Sequence, residues 1–116
     1  MDQTMEQQLL SAGVNVQEGV ARFAGNDALY QKFLFKFLED PSYAQLQAAV
    51  AAENWEDALT AAHTLKGVSG NLGLDALFSA SAKVVSLLRE QDTAGALAAY
   101  AALKDSYEEI IRILRQ

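Results

Sequence analysis

His63 is the only histidine in a chain of 116 residues that contains no cysteine. Its neighbours suggest a use for it. Lys66 follows three positions on, Gly67 four and Gly70 seven, offsets that return to one face of an α-helix. A neutral imidazole is a nucleophile, and an ordinary histidine pKa of about 6.5 leaves a neutral fraction at cell pH. Such a ring can attack a phosphoryl group and hold it covalently. The acquired phosphoryl carries about two negative charges, which an ammonium one turn away stabilises. Each glycine inside a helix costs about 0.5–1 kcal/mol relative to alanine, so two on one face need a reason. Clearance for a partner beside His63 supplies one. With no second histidine and no thiol, and no carboxylate cluster to complete a hydrolase, the site suits carrying a group rather than consuming it. The competing reading is a surface histidine of no consequence, and Lys66, Gly67 and Gly70 weigh against it.

That chemistry requires a helix that turns His63 outward. At about 100° per residue, residues 55–72 put Trp55, Ala58, Ala61, Ala62, Leu65, Val68, Ser69 and Leu72 on one broad side. Glu56, Thr60, His63, Lys66, Gly67 and Gly70 fall on the other. Asn54 is the expected N-cap, with Asp57 three positions on, and Gly73 is the expected helix-ending residue. Trp55 is read as a packing anchor.

Further helices are expected on either side. Residues 15–23 form a short first one. Asn26 caps a second that runs to Glu39, where Asp40-Pro41 stops or kinks it, and a continuation covers residues 42–52. Asp75 is expected to cap a helix to Arg89, with Leu77, Ala80, Val84, Leu87 and Leu88 inward. Asp92 or Thr93 opens the last, in which Leu97, Tyr100, Leu103, Tyr107, Ile110, Ile111 and Leu114 follow a three-and-four spacing. One proline and seven glycines leave little for the turns of a sheet. The expected fold is all-α: an antiparallel up-and-down four-helix bundle with an additional short N-terminal helix, residues 1–116 forming one domain.

Composition excludes several functions. A net charge of −6, from nine Lys+Arg against fifteen Asp+Glu, offers no basic stripe for nucleic acid. No apolar run reaches the roughly 20 residues of a membrane helix, and the first ten residues lack the pattern of a secretory signal. A cytoplasmic location is therefore expected. Asp105, Glu108 and Glu109 read as a solvated helix face, without the convergence a metal site needs.

The run Ala62-His63-Thr64-Leu65-Lys66-Gly67, followed by Asn71-Leu72-Gly73 and Leu77, resembles histidine phosphotransfer (HPt) domains. The resemblance covers nearly the whole chain, from Gly25-Asn26-Asp27 ahead of an aromatic-rich helix to the long final helix. It implies a phosphocarrier rather than an enzyme, acting in a phosphorelay of two-component signal transduction. His63 would be the phosphoacceptor through Nε2, Lys66 would pair with the phosphoryl oxygens, and Gly67 would leave room for the partner. The partners implied are response-regulator receiver domains, a hybrid histidine kinase, or both. This chain would bind no cofactor, and Mg²⁺ would sit on the receiver domain. Val85 departs from the pattern, since many members carry a glutamate there, which bears on partner choice.

Leu59, one turn before His63, and Phe35, off the centre of a wide apolar arc on the second helix, are candidate docking residues together with Gly70. Burial of that arc against the N-terminal helix is the other reading. A self-contained interior suggests a monomer. Two other functions stay open at this point: a phosphoacceptor domain excised from a histidine kinase, and a non-catalytic helical adaptor.

Overall fold

The computed structural model describes residues 1–116, as α1 (Gln3–Ser11), α2 (Val16–Arg22), α3 (Asp27–Lys36), a 3₁₀ turn (Phe37–Glu39), α4 (Ser42–Ala51), α5 (Trp55–Asn71), α6 (Asp75–Arg89) and α7 (Thr93–Leu114). Side-chain oxygens set most of the helix starts, each accepting a backbone N–H left free in the first turn. Asp2 does so for α1, Asn15 for α2, Asn26 for α3, Asn54 for α5 and Asp92 for α7. At Asp40-Pro41 the chain leaves the helical path, with Asp40 extended at ψ 128° ahead of the proline. The preceding helix tightens into the 3₁₀ turn, and Ser42 N–H donates to the Asp40 carboxylate at 2.9 Å as α4 begins.

Named contacts fix the order of packing. Tyr30 on α3 reaches Leu72 at the far end of α5. Gln45 and Ala48 of α4, and Ala52 just past its end, face Asn54, Asp57 and Thr60 around the start of α5, so the α3–α4 arm runs antiparallel to α5. The turns after α5 and α6 are short, and α5 packs on α6 and α6 on α7. Tyr43 closes the bundle. Its ring stacks on Tyr107 of α7 at 3.8 Å and lies 6.4 Å from Tyr100, while Phe37 meets Tyr107 edge-on at 5.7 Å. The interior between these helices holds Leu34, Leu46, Leu65, Leu77, Leu103 and Ile110, all fully buried.

Three expectations require correction. The N-terminal addition is two helices, since α1 precedes α2 and buries Leu9. Asp75 does not cap α6: Leu74 holds the cap position with no side-chain bond, and Ala76 N–H donates instead to the carbonyl of Gly13 at 3.0 Å. Leu97 is exposed, and the first turns of α7 bury Ala96 and Ala99.

The turn after α5 is held from outside. Gly73 has φ +71°, and an added Cβ would lie 2.5 Å from the Asn15 carbonyl oxygen, so no other residue fits. Asn15 N–H donates to Gly73 O at 2.7 Å, and the Tyr30 hydroxyl donates to Leu72 O at 2.8 Å.

Candidate functional site

The helix that presents His63 starts on a reciprocal cap. Asp57 N–H donates to Asn54 Oδ1 at 3.1 Å, and Asn54 Nδ2 donates to Asp57 Oδ2 at 2.8 Å. Glu56 and Asp57 in the first turn complement the positive helix end. Ala58, Ala61, Ala62, Leu65 and Ser69 bury the opposite face, while Trp55 and Val68 are half-buried against the core. The Ser69 hydroxyl donates back to the carbonyls of Leu65 and Lys66 at 2.8 and 3.0 Å, so this buried polar group is satisfied within the helix.

His63 stands at the midpoint of the 17 residues of α5 and is exposed. The hydroxyls nearest it turn into the helix: Thr60 Oγ1 donates to Glu56 O at 3.2 Å and Thr64 Oγ1 to Thr60 O at 3.1 Å. The imidazole has no hydrogen bond or ion pair within the chain.

Gly67 is exposed, and a Cβ added there would have nothing within 4 Å. Lys66 is half-buried, with Nζ 5.8 Å from the centre of the Phe78 ring on α6. Gly70 differs from the open strip expected of it. It is half-buried, and a Cβ at this position would lie 3.2 and 3.3 Å from Cδ2 and Cε2 of Phe78. The open strip beside His63 thus ends at Gly67, and Gly70 admits a side chain of its own protein.

On the other flank, Val68, Asn71 and Leu72 form one wall of a cleft of about 450 Å³. Phe23, Phe33, Lys36, Phe37, Glu39 and Asp40 line the other. Phe33 is 40% exposed and stacks on Phe23 at 5.5 Å. Lys36 and Lys32 place their ammonium groups 5.6 and 6.0 Å from the Phe33 ring. The result is an apolar spot bordered by charges of both signs, Lys36 beside the Phe33 ring and Glu39 and Asp40 farther along.

Of the expected docking residues, Phe35 is exposed but does not line this cleft, and Leu59 is half-buried against the core. A charged Leu59 would therefore disturb packing as well as any contact. Val85 is buried at 1% exposure, so it cannot meet a partner directly. Phe33 and Phe78 were not singled out by their sequence pattern. The available signals were the lysines flanking Phe33 and, for Phe78, an aromatic lying off the buried stripe of its own helix.

No helix is long and apolar enough to cross a membrane. A family model described as Hpt domain matches residues 3–113. Neither the search of curated proteins nor that of solved structures returned a match.

Proposed function

The chain belongs to the Hpt domain family, phosphocarrier modules of two-component signalling that interact with receiver domains and kinases, and on that premise we propose that His63 carries the phosphoryl group between receiver-domain aspartates. The supporting observation is the placement of His63. It is exposed at mid-helix with a free imidazole, Lys66 lies one turn on, and Gly67 leaves the adjoining surface open.

In the loading step the Nε2 lone pair attacks the phosphorus of an aspartyl phosphate. The N–P bond forms, the P–O bond to aspartate breaks, and that electron pair returns to the carboxylate. Nδ1 keeps its proton during the attack, and the ring gains positive charge, which keeps it a good leaving group for the reverse or onward step. Lys66 offers an ammonium to the phosphoryl oxygens. This chain would supply the nucleophile and one cation. The receiver would bring Mg²⁺ and the remaining catalytic groups, and the carrier would act as a cytoplasmic monomer. The cleft edged by Phe33 offers the receiver an apolar contact, with Lys36, Glu39 and Asp40 as its charged border.

The test is transfer from a labelled phosphoreceiver. Acid-labile, base-stable label is expected on the wild-type chain and absent from His63→Gln with an unchanged helical circular dichroism spectrum. Label retained in His63→Gln would overturn the assignment. Label obtained only from a kinase's ATP-binding domain would favour a kinase phosphoacceptor domain, and no label from either source an adaptor.

A further inference from the structure

Phe78 is the large side chain beside the site that the phosphocarrier reading leaves without a role. It lies early in α6, off the buried stripe of Leu77, Ser81, Val84, Val85 and Leu88, and is 37% exposed. Its ring crowds the position a Cβ at Gly70 would take, with Cδ2 and Cε2 at 3.2 and 3.3 Å. Over that ring sits the Lys66 ammonium, at 5.8 Å from the centroid, within cation–π range. Lys66 is in neither of the chain's salt bridges, which join Arg22 to Glu18 and Arg112 to Glu109.

We propose that Phe78 is a positioning residue for phosphotransfer, holding the Lys66 ammonium on the α6 side of His63 before the phosphoryl arrives. The role rests on the phosphocarrier reading of His63. A lysine chain is long and flexible, and placing its charge beside a reacting atom costs conformational freedom. A carboxylate could restrain it, but would set a negative charge against the incoming phosphoryl. The face of a phenyl ring attracts the ammonium without adding net charge and competes only weakly with phosphoryl oxygens. Gly70 is what lets the ring lie close to α5, within reach of a lysine one turn earlier.

The experiment compares wild type with Phe78→Leu, which keeps an apolar side chain on Gly70 and removes the π face. In unphosphorylated wild type the Lys66 side-chain methylene protons are expected upfield by ring current, a shift absent from Phe78→Leu. At saturating phosphoreceiver the transfer rate of Phe78→Leu is expected to fall roughly two- to five-fold, with Phe78→Trp close to wild type. In a Lys66→Met background, Phe78→Leu is expected to have no further effect. An equal loss in that background, or wild-type rates for Phe78→Leu, would overturn the proposal. A wild-type chain that takes no label at all overturns the carrier reading and this role with it. The ring-current shift reports separately whether Phe78 holds Lys66.

Discussion

A glycine inside a helix is explained by what a side chain there would strike. At Gly70 the answer is Phe78, and at Gly67 it is nothing within 4 Å. The fold of this chain alone therefore gives no reason for Gly67, which sits in α5 next to Lys66. Gly67→Ala is expected to raise stability by about 0.5–1 kcal/mol, the ordinary gain from replacing an exposed helical glycine. If the open surface serves a partner, the same substitution slows phosphotransfer. Urea unfolding and transfer rates on one preparation check both halves, and a more stable variant with wild-type rates would remove Gly67 from the interface. A larger side chain, as in Gly67→Leu, should slow transfer further while leaving the helix intact.

Helices whose ends are set by local chemistry were legible in the sequence, and features set by distant contacts were not. Asn15, Asn26 and Asn54 each accept an N–H three residues on, a bond confined to a few neighbouring residues. Asp92 does the same for Gly95 at 2.8 Å, which makes Asp92 the cap and Thr93 the first helical residue of α7. The first turn of α6 escaped this reading because its N–H of Ala76 is met by Gly13, far away in the chain. Helix α1 escaped because Leu9 is its one buried residue, too little to make a periodic stripe. Leu97 misled for the converse reason: burial of Ala96 and Ala99 leaves a weaker hydrophobic signal than an exposed leucine. The outward turn of His63 was legible because the opposite face of α5 is filled by alanine and leucine, whereas the Lys66–Phe78 contact depends on how α5 and α6 pack. The cap of α5 carries a prediction of its own. Asn54→Ala removes the acceptor for Asp57 N–H and the bond back to its carboxylate, and should cost about 1 kcal/mol in urea unfolding. No change in midpoint would mean that water satisfies the helix start equally well.

Across the whole molecule, tyrosines join helices that are distant in sequence, and this sets a limit on stability at high pH. Tyr30 is fully buried between α3 and the end of α5. Burial, then the negative charges of Asp75 and Asp27, push its pKa from 10.0 up to about 12. Tyr43 is raised too, by burial first and then by its hydrogen bond with Tyr100. Tyr107 is raised by burial, with Arg115 opposing and Asp40 adding to the effect. A tyrosine carries its charge when deprotonated, so above pH 10 the unfolded chain gives up these protons more readily than the folded one. The contribution is complete below about pH 10 and is lost as pH rises through the folded value. For Tyr30 alone a rise from 10.0 to about 12 corresponds to about 2–3 kcal/mol. The urea midpoint is therefore expected to fall between pH 10 and 12. Tyr30→Phe separates this residue from the lysines and the other tyrosines that titrate in the same range. It should lose about 1–3 kcal/mol at neutral pH, because the Leu72 carbonyl is left buried without its donor. Above pH 10 its midpoint should fall less steeply than that of wild type, so the two curves converge. Parallel curves from pH 7 to 12 would show that ionisation of Tyr30 does not limit the bundle. Convergence would mean that the contact between α3 and the end of the His63 helix weakens in alkali as Tyr30 ionises.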